Sequence, residues 1–286
     1  MINIRNLVKA FGGRTVIDDL NLSIAKTDRI ALVGANGAGK TTLFRCLLGH
    51  YGYAGDITFN DVPQHRQREV LSRIAFVPQL PPPLRMPVGE LLRFSEATAG
   101  GQRSVMEKTA MRLGIDLESI LSQPFYRLSG GQKQKVLVTI ALSRNAQFMI
   151  FDEPSANLDP VARSAFIDML GERSRDCAML IASHRLEEVA PLVNRVIELD
   201  RGRVVLDDAV ADRLQAGEHF DCSIVLREPH EPFLKTMKEW GFAASSGLKF
   251  TGRVPAAETF RFLSLTSRYA GIIASLSLGG VNNKLN

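Results

Sequence analysis

The stretch Arg29–Thr42, RIALVGANGAGKTT, decides the fold of this chain. Arg29 to Val33 is a short apolar run of strand character that stops at Gly34, and the residues from Lys40 to Leu48 have helical spacing. Between them, Gly34-Ala35-Asn36-Gly37-Ala38-Gly39-Lys40-Thr41 matches G-x-x-x-x-G-K-S/T in the strand-loop-helix context that the motif requires. Glycines let the backbone curl until several N–H groups point inward, and the helix start adds the positive end of its dipole. The cradle is expected to hold nucleotide phosphates and to run over Gly34, Asn36, Gly37, Ala38, Gly39, Lys40, Thr41 and Thr42. Lys40 is expected to reach the β and γ phosphates, and the Thr41 hydroxyl to ligand Mg²⁺.

On either side of this loop the chain alternates short strands with helices. Upstream, INIRNLVKAF and TVIDDLNLSIA flank a Gly12-Gly13 turn. Downstream come strands at Tyr53–Asn60 and Ile74–Val77, and then Pro81, Pro82, Pro83 and Pro87 break regular structure. Helical spacing from Val88 to about Ile120 predicts a helical insertion, spanning about 80–147 with its flanks. A helix over Gln132–Ser143, a strand over Phe148–Phe151, a helix over Val161–Arg173, a strand over Ala178–Ala182, a short helix around Leu186–Val189 and a hairpin about Asp200-Arg201-Gly202-Arg203 complete the pattern of an α/β core. From about Leu214 the pattern restarts as strand, helix, strand, helix, strand, so residues 1–212 and 213–286 are expected to be separate domains, the second a small α/β domain.

The composition narrows the class. Of the 286 residues 45% are hydrophobic and 23% charged, which suits a chain with a full core. The longest uncharged stretch, Tyr269–Asn283, is broken by Ser, Gly and Asn and is too short for a membrane-spanning helix. The N-terminus carries no apolar segment of the signal-peptide kind, so a cytoplasmic protein is expected. Three scattered cysteines, Cys46, Cys177 and Cys222, offer neither a disulfide framework nor paired metal-ligand spacing. The net charge of +5 is spread along the chain rather than gathered in a basic tail, so no nucleic acid partner is expected.

Two more segments carry chemistry. Phe148-Met149-Ile150-Phe151-Asp152-Glu153 is an apolar strand ending in two carboxylates. In a P-loop nucleotidase the first acid at such a position holds Mg²⁺ and a second can polarise the attacking water, roles that Asp152 and Glu153 fit. Leu128-Ser129-Gly130-Gly131-Gln132 precedes a helix. Ser129 is a natural N-cap, and Gly130 and Gly131 permit close approach of an anion; an ordinary capped helix start is the plainer alternative. Two phosphate cradles for one kind of nucleotide suggest that each is completed by a partner chain, giving a homodimer with ATP between the subunits.

The P-loop, Leu128–Gln132, the strand ending Asp152-Glu153, Ser155-Ala156-Asn157-Leu158-Asp159 and the later His184 occur in the order of the ATP-binding cassette (ABC) ATPases, which the chain resembles over residues 1–212. The resemblance implies a P-loop nucleotidase core of ABC type with an antiparallel β subdomain. It implies that the segment Ser129, Gly130, Gly131 and Gln132 of one subunit meets the γ-phosphate on the P-loop of the other. It also makes Gln79 the glutamine that touches Mg²⁺ and the attacking water, Asp159 an acid at the dimer interface, and His184 a contact to the γ-phosphate. Phe11 stands where many family members stack an aromatic on adenine, the alternative being a small core residue. Glu153 is then the general base, with Lys40, Gln79 and His184 as its catalytic companions. The family implies a peripheral subunit on the inner face of the cell membrane, docked on a separate permease near Pro81–Glu90. ABC ATPases of chromosome maintenance, DNA repair or translation are the alternative; the chain lacks the long coiled coils of the first and the paired cassettes of the last. The small C-terminal extension resembles those of exporters more than those of sugar importers.

Overall fold

The computed structural model describes residues 2–60, 62–173, 177–183, 186–209, 219–255, 262–263, 265–266, 269 and 271–281. The chain divides into two compact units, Met1–Val210 and Ala211–Asn286. In the first, β1 (Ile2–Phe11) and β2 (Arg14–Ile24) form a hairpin, β3 (Arg29–Val33) runs through the glycine loop into α1 (Lys40–Leu47), and β4 (Ala54–Phe59), β5 (Val62–Pro63), α2 (Gln67–Ser72) and β6 (Ile74–Val77) follow. Next come α3 (Val88–Ala99), α4 (Arg103–Arg112) and α5 (Gly130–Ser143). The unit ends with β7 (Phe148–Asp152), α6 (Pro160–Gly171), β8 (Ala178–Ala182), α7 (Leu186–Val189), β9 (Arg195–Asp200) and β10 (Arg203–Ala209).

These strands form an antiparallel sheet of order β2-β1-β4-β5 and a six-stranded sheet of order β10-β9-β3-β8-β7-β6. The second sheet is parallel except for β10, which folds back on β9. Its central strands are apolar throughout because both faces are covered. Alternate residues show this: Ile30, Leu32 and Ile150 pack with α1 and the antiparallel sheet, while Ala31, Met149 and Phe151 pack with Phe125, Val136 and Phe166 on the helical side. Parallel strands bring their C-terminal ends to one edge, where open α/β sheets bind ligands. Gly34, Gln79 and Asp152 all lie just past, or at, such ends.

The helical spacing expected over Val88–Ile120 resolves into α3, α4 and a turn of 3₁₀ helix at Glu118–Ile120. The break follows from Gly100, whose φ of 67° closes α3 in a left-handed C-cap. The sequence reading misses α2 and β5, which are too short to establish a period.

The second unit contains β11 (His219–Leu226), α8 (Glu231–Glu239), β12 (Ala243–Ser246), β13 (Lys249–Pro255) and β14 (Ile273–Val281). Every pairing in its sheet, of order β12-β13-β11-β14, is antiparallel. The helix expected over Ala256–Tyr269 falls mostly outside the described residues, with Phe262, Leu263, Leu265 and Thr266 helical. Strand-helix-strand-strand-helix-strand with this order is the ferredoxin-like arrangement. Phe233, Met237, Phe242 and Phe262 build the core on one face of the sheet, and the Phe242 and Phe262 rings stack at 5.3 Å. Gly252 is required by that packing, since a Cβ there would lie 2.6 Å from the Phe242 ring. The expected strand-helix alternation lacked β12, whose Ala-Ala-Ser-Ser sequence carries no strand signal.

Candidate functional site: a phosphate cradle and its acidic neighbours

The glycine loop is held from two sides. A Cβ on Gly34 would lie 2.3 Å from the Leu199 carbonyl oxygen, and one on Gly39 would lie 2.8 Å from Ile17 Cδ1. Gly34, Gly37 and Gly39 have φ of 144°, 84° and 112°, a region that side-chain-bearing residues rarely enter. The turn between β9 and β10 closes over the loop, with the Gly202 N–H donating to the Ala38 carbonyl at 2.9 Å and the Asp18 N–H donating to the Gly202 carbonyl. Backbone shape, rather than side-chain capping, therefore fixes the start of α1. Gly39 occupies its N-cap and supplies no side-chain hydrogen bond, which leaves the first turn in the uncapped form that suits an anion. Lys40, buried at 9% exposure, folds its ammonium back onto the carbonyls of Gly34 and Ala35.

Thr41 donates its hydroxyl proton to Asp152 Oδ2 at 2.8 Å, joining the helix start to the end of β7. Asp152 is buried, and that burial pushes its carboxyl above the ordinary range, opposed by the Thr41 hydrogen bond and the Lys40 and Arg45 charges. Glu153 follows in the left-handed region at φ 49°, with its N–H donating to the Ala182 carbonyl at 3.0 Å. A glutamate held there is strained, and surroundings must over-determine the geometry. One such surrounding group is Gln79, whose Nε2 donates to Glu153 Oε2 at 3.1 Å. The parallel register of Val77 with Phe151 sets residue 79 alongside residue 153.

The segment Leu128–Gln132 is built differently. Ser129 Oγ accepts from the Gln132 N–H at 3.2 Å, and Gln132 Oε1 accepts from the Ser129 N–H at 3.0 Å, a full capping box. A Cβ on Gly131 would approach the Asn157 carbonyl to 3.1 Å, whereas Gly130 has open space. Behind these glycines, buried Gln134 donates to the Pro154 carbonyl at 3.0 Å and Lys135 pairs with Asp159 at 2.7 Å. Asp159 also N-caps α6 by accepting from the Ala162 N–H at 2.9 Å; that bond, reinforced by Lys135, holds its carboxyl below the ordinary range. Thus the structure joins Ser129–Gln132 to the loop of residues 154–159, and joins Lys40, Thr41, Asp152, Glu153 and Gln79 into a separate cluster. His184 lies outside the described residues.

Phe11 is 42% exposed and so is no core residue. Its ring meets Tyr51 edge-on at 5.1 Å, and Lys9 Nζ sits 4.6 Å from its centroid. The Lys9 ammonium donates to the Gly52 carbonyl, and the Arg45 guanidinium stacks on Tyr51. Lys9, Arg45 and Tyr51 carried no signal in the sequence, because only tertiary structure brings β1 to the end of α1. Gln134 and Lys135 were equally hidden, two polar residues within a helix of ordinary composition.

A strand, an uncapped glycine loop and, one strand removed in the same parallel sheet, a strand ending in paired carboxylates define a P-loop nucleotidase, and the helical insertion followed by a capped Ser-Gly-Gly defines its ATP-binding cassette type. The chain belongs to the ABC transporter family of ATP-binding subunits. The ABC transporter family model matches residues 17–156. The chain is 33% identical over 216 residues to the aliphatic sulfonates import ATP-binding protein SsuB 1 of Nocardia farcinica, covering 73% of this chain and 82% of the relative. It is 31% identical over 208 residues to the zinc import ATP-binding protein ZnuC of Pseudomonas putida, covering 70% and 75% of the two chains. Among solved structures, the ATP-binding subunit of an ABC transporter superposes with a TM-score of 0.66 at 24% identity, covering 74% of this chain and 91% of that one.

Proposed function

We propose that this chain hydrolyses ATP at the interface of a homodimer and so drives a substrate through a separate membrane permease. The observation that carries the reading is the cluster Thr41–Asp152 and Gln79–Glu153 at the C-terminal edge of the parallel sheet. Phosphoryl transfer to water needs positioning and charge stabilisation more than covalent chemistry. Lys40 would exchange its contacts with the Gly34 and Ala35 carbonyls for the β and γ phosphates, beside the uncapped N–H groups at the start of α1. Glu153 takes the proton of the attacking water, and the Gln79 amide keeps its carboxylate aimed. Thr41 Oγ1, Asp152 and the Gln79 amide oxygen make a set of hard oxygen donors of the kind Mg²⁺ prefers, and the 2.8 Å Thr41–Asp152 contact already brings two of them together. When bound, Mg²⁺ would neutralise charge on the β and γ phosphates.

Ser129, Gly130, Gly131 and Gln132 form the clamp that one subunit offers to the nucleotide on the other, and His184 is assigned to the γ-phosphate on family resemblance. Phe11, half-exposed beside Tyr51, is assigned to the adenine. ATP binds the closed dimer preferentially, and loss of phosphate lets it open, which is how hydrolysis becomes movement. Among the described residues no helix is long and apolar enough to cross a membrane, so the reading assigns the transport path to another polypeptide and this chain to the inner membrane surface. The relatives named above are import proteins, which supports import over the export that the small C-terminal extension suggests.

Glu153→Gln tests the core of the reading. Removing a general base should lower steady-state hydrolysis at least about a hundredfold, and the variant should accumulate as an ATP-bound dimer in sedimentation. Turnover at the wild-type rate would remove Glu153 from the mechanism.

A further inference from the structure

A sheet edge displays unpaired backbone donors and acceptors, and stable proteins shorten, charge, bulge or cover such edges. Among the described residues, five of the six edge strands follow that rule. β5 has two residues and ends in Pro63, and β6 and β12 have four residues each. β10 carries Arg203, Asp207 and Asp208. β2 carries Arg14, Asp18 and Asp19, with Asp19 at a positive φ of 49°. The sixth edge, β14, has nine residues, IASLSLGGV, with no charge and no proline. Ala274, Ser275, Ser277 and Gly279 on it are exposed.

The side-chain pattern of β14 fits its own copy. Leu276 and Leu278 pair with Ile224 and Cys222 of β11 and so extend the apolar core of the second unit, whereas Ser275 and Ser277 pair with Val225 and Ser223 on the opposite face. If two copies of β14 run antiparallel about a two-fold axis at Ser277, Leu276 faces the partner subunit's Leu278 on the core side. On the open face Ser277 then meets the partner subunit's Ser277, and Ser275 meets the partner subunit's Gly279. The register buries leucine against leucine, opposes no like charges, and keeps the faces of both sheets matched.

We propose that β14 is a self-pairing edge, through which two copies of the second unit join their sheets into one. The occupant is a second copy of this chain, because about that axis the uncharged edge offers its own copy leucine against leucine and serine against serine. Such a contact needs no nucleotide. Resting on the reading of an ATP-sandwich homodimer, its consequence would be to hold two cassettes at high effective concentration after hydrolysis opens the catalytic interface.

The test uses the full chain without nucleotide. Cys46, Cys177 and Cys222 are buried, so a cysteine placed on β14 is the reactive one. Under copper-phenanthroline oxidation, Ser277→Cys should give a disulfide-linked dimer about tenfold faster than Ser245→Cys on the opposite edge, because directly opposed cross-strand Cβ atoms lie within disulfide reach. Ser277→Lys and Ser277→Glu should each weaken self-association about tenfold in sedimentation equilibrium, by opposing like charges at the axis, and mixing the two variants should restore a heterodimer. A folding defect would not be rescued by mixing. Equal cross-linking at residues 277 and 245, or no heterodimer on mixing, would overturn the proposal. Dimerisation of Glu153→Gln with Mg-ATP reports on the catalytic interface separately, so failure of one interface is not mistaken for failure of the other.

Discussion

The two glycine-rich helix starts of the first unit, at Gly39 and at Ser129, solve the same problem in opposite ways. Each opens a helix whose first N–H groups lack partners within it. At α5 side chains take up part of this deficit: Ser129 Oγ accepts from the Gln132 N–H, and Gln132 Oε1 accepts from the Ser129 N–H just ahead of the helix. At α1 they do not: Gly39 offers no cap, no acid stands in the first turn, and the loop takes its shape from glycines at positive φ pressed against Leu199, Val16 and Ile17. Under the proposed function, the uncapped start is the permanent receptacle and the capped one the visiting clamp. An uncapped start gains most when an anion arrives, while a capped start keeps its shape without one.

The α1 start is most tightly fixed at Gly34. Gly34→Ala forces a methyl to within 2.3 Å of a backbone oxygen at φ 144°, with no flexible neighbour to yield. Strain and overpacking together should cost about 2–5 kcal/mol, read as a lower urea midpoint, and nucleotide binding should be lost with it. A stable variant that still binds nucleotide would mean the loop is not clamped as described.

Asp152→Asn sharpens the contrast from the acidic side. Burial raises the Asp152 pKa, so the ionised carboxylate costs stability above the ordinary carboxylate pKa, and the cost is relieved as pH falls through the raised folded value. The amide keeps an oxygen to accept from Thr41 but carries no charge. The nucleotide-free protein should therefore melt higher at neutral pH while hydrolysis and its Mg²⁺ dependence collapse. A lower melting temperature would show that the carboxylate is a structural rather than a functional group.

Ser129→Ala removes the cap and should cost about 1 kcal/mol, whereas Gly130→Ala, with open space around it and a helical environment, should be neutral or slightly stabilising by denaturant titration. If the bare backbone faces a nucleotide on the other subunit, the stable Gly130→Ala protein should nonetheless hydrolyse ATP far more slowly. Undiminished turnover would reduce the segment to an ordinary capped helix start.

The parts of this site that could be read from the sequence are those whose spacing is local. Gly34–Thr41 declares itself because strand, loop and helix are contiguous, and Ser129 because its capping partner is three residues away. The Gln79–Glu153 contact is not local: it exists because β6 pairs with β7 in parallel, Val77 beside Phe151, and only resemblance to a family pointed to Gln79. Lys9, Tyr51 and Arg45 around Phe11 come from β1 and the end of α1, with no periodicity connecting them. The fold shows the same division. The buried strands β3, β7 and β8 announce themselves as apolar runs, while β12 and α2 take their conformation from neighbours and not from their own residues.

The smallest expected effect lies at Lys135. Its 2.7 Å pairing with Asp159 ties α5 to the loop that follows Asp152 and Glu153, and Asp159 stays largely exposed. Exposed pairs contribute little to stability because water and salt compete for both charges. Asp159 has a lowered pKa, caused first by the Ala162 N–H and then by Lys135. Stability from a lowered carboxylate pKa is present above the unfolded value and is lost as pH falls through the folded one. In Lys135→Met the Ala162 bond survives, so the folded pKa should rise only part of the way, and acid unfolding should begin at slightly higher pH with little change at neutrality. The informative measurement is the ATP concentration dependence of hydrolysis. If this tie holds the clamp of one site in register with the acids of the other, the variant should lose cooperativity between the two nucleotides while folding normally. Unchanged cooperativity would leave the pair a surface contact, and Gln134, buried on the Pro154 carbonyl, as the remaining link between clamp and acids.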